Sequence, residues 1–423
     1  MALPVYVLDI NKKPLMPTNR YGKVRRLLKN NLAKVVNKCP FTIQLLYETT
    51  EFVQDINLGV DAGSKTIGIS ATTNFKVLFE AEVTLRNDIV DLISTRREQR
   101  RARRNRKTRY RKPKFLNRVG SKKKGWVAPS IKQKIDTHLS IISKVYKLLP
   151  IKNIIVEVAA FDIQKIKNSN IQGKEYQQGE QLGSWNVREY VLFRDNHTCQ
   201  CCKGKSKDKI LNTHHIESRK TGGNAPNNLI TLCKTCHDNY HNGRIKLPSY
   251  IKRGRSFKDA TFMGIMRWTF YNQLKTLYPN VSLTYGYITK YTRIKHNLSK
   301  THYIDARCIS NNPTAQPMDF YYKFKKLRRH NRQIHKFVPN KKGVRQQNQA
   351  PYLVHNFRLF DKVVYNNQVC FITGRRHTGY FTLKDINYEK VGNDNVSYKK
   401  LQFVVPCNGF ICDYLPTITI EST

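Results

Sequence analysis

Acidic side chains are scarce in this chain. It carries 29 Asp and Glu against 76 Lys and Arg, a formal net charge of +47 over 423 residues. A lone compact globule with that excess would repel itself, so the composition calls for a polyanionic partner, and nucleic acid is the obvious one. Long apolar runs are missing as well. No stretch is long enough to span a bilayer, and the opening MALPVYVLDI is too short for a secretory apolar region followed by a cleavage site. No membrane partner is expected, and the chain is expected in the cytoplasm. Cysteines number ten, and only four stand at ligand spacing. This argues against a disulfide framework and for a reducing compartment. Cys39, Cys201, Cys308, Cys370, Cys407 and Cys412 are expected as free thiols. The length leaves room for two to four modules.

The richest chemistry lies between Cys199 and His241. Cys199/Cys202 and Cys233/Cys236 form two Cys-x-x-Cys knuckles, a donor set suited to a closed tetrahedral Zn²⁺ site. A segment this short cannot bury enough apolar surface to hold itself, which gives a structural zinc its purpose. His214 and His215 are adjacent between the knuckles. His237 and His241 follow the second knuckle one helical turn apart, on one face. With the fold stapled, His214 and His237 can hold a second, open-sided metal, with His241 as a possible extra ligand, and His215 can take a proton from water. Those are the minimal parts for phosphodiester hydrolysis. A zinc ribbon with spectator histidines is the plainer alternative.

Three acids stand where apolar strands or helices are expected. Ile56–Val60 reads as a strand running into Asp61, and Ile154–Val158 as another strand with Glu157 inside it. A carboxylate in such a run is costly unless it binds something. For Asp61 a strand-end residue satisfied by turn amides is an equal alternative. His302 and Asp305 sit at i and i+3 on a short helical pattern and project together. Carboxylates from two strands and one helix suit a pair of Mg²⁺ ions. Ala128–Leu149 is expected as an amphipathic helix, Ala260–Leu277 as another, and Val281–Ile288 as a strand.

Between these acids runs an arginine-rich stretch with Arg96, Arg97, Arg100, Arg101, Arg103, Arg104, Arg106, Lys107, Arg109, Arg111 and Lys112. A helix here would carry arginine on every face, so it cannot bury one stripe in the usual way. Enclosed by phosphates it makes sense; the alternative is a basic tail or localisation signal. A second basic run, with Phe320, Tyr321, Tyr322 and Phe324 among Lys323, Lys325, Lys326, Arg328, Arg329 and Arg332, suits phosphate contact with base stacking. A basic loop packed by its own aromatics is the alternative. Short strands at Val363–Tyr365, Val369–Ile372, Tyr380–Leu383 and Leu401–Val405 predict a small β-barrel, with Arg375, Arg376 and His377 on a loop that could probe a groove.

The order of these features resembles the IscB family of transposon-encoded RNA-guided nucleases. The shared features are Pro14-Leu15-Met16-Pro17, Asp61, the arginine run, Glu157, the knuckle-and-histidine segment, and His302 with Asp305. The segment around His215 itself resembles HNH (ββα-metal) nucleases, and the arginine run resembles the bridge helix of IscB and of the larger CRISPR effector nucleases.

The resemblance implies a multidomain α+β chain. A PLMP module covers 1–52. An RNase H-like (RuvC-like) mixed sheet is split into pieces at 53–92, 126–163 and 260–312. The bridge helix occupies 93–125 and the inserted HNH module 185–245. Linkers run over 164–184 and 246–259, and a C-terminal domain reading a flanking motif and RNA spans 313–423. It also implies His215 as general base, His214 and His237 as ligands and Asn228 pinning the loop at the HNH site. At the second site it implies Asp61, Glu157 and Asp305 as ligands and His302 as proton acceptor. Mg²⁺ at both sites, Zn²⁺ on the four cysteines, one large structured guide RNA per protein and a double-stranded DNA target follow from it, in a prokaryotic cytoplasm. The expected reaction is cleavage of the guide-paired strand by the HNH site and of the displaced strand by the other. About forty residues separate Lys112 from Ile154, too few for the helical recognition lobe of the larger effectors, so the RNA itself is expected to supply that bulk. An unguided homing or junction-resolving nuclease and a non-catalytic RNA-binding scaffold are the competing readings.

Overall fold

A computed structural model describes residues 3–104, 126–158, 186–218, 222–254, 258–328 and 351–417. The chain divides into two compact units, Met1–Ala160 with Ile265–Thr423, and Phe161–Gly264. Among the described residues no helix is long and apolar enough to cross a membrane.

The larger unit opens with strand β1 (Tyr6–Leu8), helix α1 (Tyr21–Lys29), β2 (Ala33–Lys38) and β3 (Phe41–Leu45), which form a three-stranded sheet in the order β1-β3-β2. Val5, Val7, Val24, Ile43 and Leu45 make its core. The prolines of 14–17 suit a turn that doubles back beside β1, where Leu15 N donates to Val7 O at 2.9 Å.

Next come β4 (Ile56–Ala62), β5 (Thr66–Thr72), β6 (Val77–Thr84), α2 (Ile89–Arg104), α3 (Pro129–Tyr146) and β7 (Ile151–Glu157). The smaller unit holds α4 (Val187–Arg194), β8 (Leu211–His215), β9 (Leu229–Cys233) and α5 (Lys234–His241). Then follow α6 (Lys258–Leu277), β10 (Val281–Thr284), α7 (Gly286–Lys295), α8 (His302–Ile309) and β11 (Phe320–Lys326). The chain continues with β12 (Lys362–Tyr365), β13 (Gln368–Arg375), β14 (Tyr380–Lys384), β15 (Lys390–Ser397), β16 (Gln402–Val405) and β17 (Phe410–Pro416).

The organising element is a mixed seven-stranded sheet in the order β10-β7-β4-β5-β6-β11-β17. One face of it is apolar and closed: Leu58, Val60, Ile67, Ile69, Phe79, Ala81 and Val83 are fully inaccessible. Because side chains alternate with period two, the intervening residues share the opposite face. One row of that face, matched strand to strand, reads Glu157, Asp61, Gly68, Glu82. The next row contains Gly59, Ser70 and Glu80.

Helix α8 lies on this face, and two glycines let it. A Cβ on Gly68 would stand 1.9 Å from His302 O, and one on Gly59 2.0 Å from Ala306 O. The helix backbone therefore rests directly on the sheet, which only residues lacking a side chain permit. Buried Arg307 then reaches Glu80 through a fork, Nε to Oε1 at 2.7 Å and Nη2 to Oε2 at 2.9 Å, and Ser70 Oγ also donates to that carboxylate at 3.2 Å. Arg307→Ala should lower unfolding stability by about 3–5 kcal/mol, because it strands a desolvated carboxylate. A urea midpoint measurement checks this, and Arg307→Ala combined with Glu80→Leu should recover much of the loss.

Several expectations are corrected. The strand expected over Val281–Ile288 ends at Thr284, and α7 starts at Gly286. Helical spacing there sets Gly286 and Thr289, three residues apart, toward Glu157: Thr289 Oγ1 donates to it, and a Cβ on Gly286 would crowd it. The aromatic run at 320 is not a stacking surface: Phe320, Tyr322 and Phe324 are buried at 1, 2 and 5% on one face of β11, inside the large sheet. Antiparallel β17 joins them, so 313–423 does not form one separate domain. The remaining C-terminal strands form an open five-stranded antiparallel sheet, β15-β14-β13-β12-β16, rather than a barrel; no described ladder joins β15 to β16. Its β12–β13 turn needs left-handed residues at both Asn366 (φ 48°) and Asn367 (φ 60°), which asparagine tolerates. Arg375 does not probe a groove freely, since its guanidinium donates to the Tyr352 carbonyl.

The linker expected over 246–259 is also corrected for its first part. Leu247 and Ile251 pack on the core of the smaller unit, and Gly254 N donates to Asn227 O at 3.2 Å. The 164–184 linker lies outside the described residues, as do Arg106, Lys107, Arg109, Arg111 and Lys112. What is described of the arginine stretch is helical, and none of its residues from Ile89 through Ala102 is buried.

Candidate functional site

In the smaller unit, β8 and β9 pair as a hairpin with His214 opposite Ile230 and His215 opposite Leu229. Helix α5 follows at once, started by the second knuckle: Cys233 Sγ accepts Cys236 N at 3.4 Å, and Asp208 accepts Thr235 N at 2.8 Å. The sulfurs of Cys199, Cys202, Cys233 and Cys236 all lie within 4.8 Å of one another. Four thiolates that close cannot coexist without a cation. Burial and the neighbouring sulfurs push Cys236 up, while Ser206 and a turn amide help bring Cys202 down to about 6 despite the opposing effect of burial. The donor set fits Zn²⁺, which would deprotonate all four.

The nitrogens of His214, His237 and His241 form a second cluster, again mutually within 4.8 Å. His237 Nε2 and His241 Nε2 stand 3.3 Å apart. His214 is 4% exposed, and its buried Nε2 has no hydrogen-bond partner. Burial first, and the two neighbouring imidazoles second, hold His214 down at about 4, so it presents a bare lone pair. An orphaned imidazole nitrogen facing two others fits a divalent metal ion.

His215 points elsewhere, as strand alternation requires, and its Nε2 lies 3.0 Å from Asn224 Oδ1. Asn228 is fully buried and ties the loop between β8 and β9: Oδ1 accepts Glu217 N at 2.9 Å, while Nδ2 donates to the carbonyls of Glu217 and Gly223. Gly222 is forced by the same packing, since a Cβ there would stand 2.1 Å from Asn228 Nδ2.

In the larger unit the sheet row and α8 bring together residues from three distant parts of the chain. His302 Nδ1 meets Asp61 Oδ2 at 2.7 Å, and His302 N donates to Glu82 Oε1 at 3.2 Å. Glu157 Oε2 accepts Thr289 Oγ1 at 2.5 Å. Asp305 Oδ1 lies 3.0 Å from Arg293 Nε, an ion pair without hydrogen-bond alignment. Burial raises Glu157 to about 7, with Asp61 and Asp305 adding to it. Burial and Asp61 raise Asp305, and the bond to Asp61 raises His302. A cluster where carboxylates resist ionisation is short of cation. The donors fit Mg²⁺, a hard ion that takes oxygen ligands.

This gives a pH prediction. Folding without metal raises Glu157 from 4.5 to about 7, so the folded state binds its proton more tightly than the unfolded chain. The site's stability contribution therefore falls as pH rises from 4.5 to 7, and the full penalty remains above 7. In EDTA, Glu157→Gln should match wild type at the acid end and melt at a higher temperature above neutrality. Mg²⁺ should remove that gap by stabilising the wild type.

Sequence reading missed Glu82, Glu80, Arg307, Thr289, Arg293 and Asn224. The first two carried the signal used for Asp61 and Glu157, an acid inside an apolar strand. The rest carried none.

Residues 5–179 match the RRXRR protein family model, and residues 199–243 match the HNH endonuclease model. No curated protein matches the chain. Among solved structures, Streptococcus thermophilus Cas9 in complex with the AGAA PAM and with the AGGA PAM align at 13 and 12% identity, each with TM-score 0.29. The aligned part covers 44% of this chain and 26% of each of those, so the chain spans about a quarter of their length. At that score the overlap is too partial to characterise this chain. The HNH match is the informative one: it places an HNH endonuclease domain on the two-knuckle, three-histidine hairpin and supports a DNA-cleaving hydrolase.

Proposed function

We propose that this protein is an RNA-guided double-stranded DNA endonuclease of the IscB type, with His215 as general base beside a metal held by His214, His237 and His241. Asp61, Glu157 and Asp305 would hold Mg²⁺ at a second, RuvC-like hydrolytic site, with His302 placed to accept a proton. Zn²⁺ on the four cysteines staples the first site. The HNH site cuts the guide-paired strand and the carboxylate site the displaced strand. In this reading the PLMP module, bridge helix and split sheet keep the roles the resemblance implies, and β11 and β17 belong to the large sheet.

The observation that carries this reading is the row Glu157–Asp61 under His302 and Asp305. A fold gains nothing by crowding three acids, raising Glu157 to about 7, unless a cation comes to them. A second hydrolytic centre in addition to an HNH domain would give one cutter per strand. The net charge of +47 and the exposed arginines of α2 supply the phosphate-binding surface such a particle needs. Expression beside the native locus, followed by sequencing of copurified nucleic acid, tests guidance. One RNA of defined sequence, required for cleavage of a matching duplex, is the expected result. Site-defined cutting by the RNA-free chain would overturn it.

A further inference from the structure

Helix α7 carries a second surface that the carboxylate site does not use. At about 100° per residue, Gly286, Thr289 and Arg293 fall on one arc. That arc faces the site: a Cβ on Gly286 would stand 3.0 Å from Glu157 Oε1, Thr289 donates to Glu157, and Arg293 pairs with Asp305. Tyr287, Tyr291 and Ile294 fall on another arc about 140° round the helix. They are 72, 68 and 57% exposed. Lys290 sits midway between the arcs and is exposed, as is Lys295. Tyr285 stacks on Tyr287, ring centroids 6.0 Å apart and planes 10° from parallel.

Large rings left this open on a helix surface mark a binding face. Its charge names the occupant. From Tyr285 through Thr301 there is no acid, while Lys290, Arg293, Lys295 and Lys300 are cationic. Phosphates with exposed bases match alternating cations and rings; a duplex, whose bases are stacked inward, does not. Tyr287 and Tyr291 are one turn apart, with Cβ atoms about 5–6 Å from each other, so two bases of one strand can be held in succession.

Resting on the function proposed above, we propose that α7 is a stacking ledge for single-stranded DNA. Tyr287 and Tyr291 hold unpaired bases, Lys290 and Lys295 take phosphates, and the displaced strand is thereby laid past Glu157 into the carboxylate cluster. These are positioning residues: none touches the scissile phosphate.

The test uses the full chain with its copurified RNA and a duplex labelled differently on each strand. The double variant Tyr287→Ala/Tyr291→Ala should slow displaced-strand cutting about tenfold or more, the size of one lost base stack, and leave guide-paired cutting unchanged. Tyr287→Phe/Tyr291→Phe should restore the wild-type rate, because the ring is what binds. Equal rates for wild type and the alanine variant would overturn the ledge. Full rescue by Tyr287→Leu/Tyr291→Leu would do so too, since it would mark a protein-packing face. A second measurement stands apart from guidance: fluorescence anisotropy of labelled oligothymidylate and oligouridylate titrated with the RNA-free chain. The alanine variant should bind oligothymidylate about tenfold more weakly. Unchanged binding, or a loss confined to oligouridylate, would overturn the assignment to DNA. Should the wild type show no guided cleavage, the parent reading falls, and this titration still decides the ledge.

Discussion

Asp61→Ala should leave the displaced strand intact while the guide-paired strand is still cut, and His215→Ala should do the reverse. Each loss should reach about a thousandfold or more, within the range for removing a general base or a principal ligand of a catalytic ion. Asp61 has no substitute. Its neighbour across the sheet is Glu157, and its partner across the space above is His302 at 2.7 Å. Alanine there frees His302 and removes one of the charges that holds Glu157 high, so Glu157 should titrate at lower pH in the variant. That side effect separates a broken site from an unfolded one. At the other centre, His215 is half-buried and touches exposed Asn224, so its removal strands no buried group. The fold of the HNH domain should survive, and the melting curve should show it. Strand-resolved cleavage on one gel reads both results. Loss of both cuts from either single change would refute the assignment of one site per strand.

Cys233→Ser should abolish cutting at the HNH site by a different route, collapse of the module. Three of the five buried residues in its core cluster, Cys199, Cys233 and Cys236, are cysteines beside Ile230 and Leu232, and the hydrophobics packed around them are only partly buried. So little apolar burial cannot offset the entropy of ordering the knuckles. Structural zinc sites of this donor type contribute on the order of 10 kcal/mol of apparent binding free energy, which here is folding free energy. Cys233 is the worst of the four to lose, because its sulfur also caps α5 and lies 3.1 Å from Ser206 Oγ. Metal analysis should find about one zinc per wild-type chain and a deficit in the variant. Limited proteolysis should open residues 199–243 while the strands of the seven-stranded sheet stay protected. A stably folded, protease-resistant HNH segment without zinc would contradict the account.

Much of both candidate sites was visible in the chain as written. Cysteines separated by two residues come together on a tight turn, so the four-cysteine cluster was legible from spacing. Asp61 and Glu157 stood out because an ionised group inside a run such as Ile-Ile-Val needs a reason. What misled was the assumption that local composition decides exposure. The Phe320–Lys326 segment carries alternating rings and lysines; its rings are buried because β6 and β17 flank it in the sheet. The segment after His241 looked like a linker because its polar residues outnumber its anchors, yet Leu247 and Ile251 suffice to pin it.

The sequence by itself determined which groups could do chemistry: four thiols, a cluster of histidines, three lone acids and a charge that demands a polyanion. Those are properties of residue type and short spacing, which survive any folding. Only the tertiary structure decided who meets whom. Asp61 and His302 are 241 positions apart. They meet because Gly59 and Gly68 let α8 lie on the sheet and the Arg307–Glu80 fork holds it there. No local pattern encodes that approach, since it depends on the strand register and on two side chains that are absent.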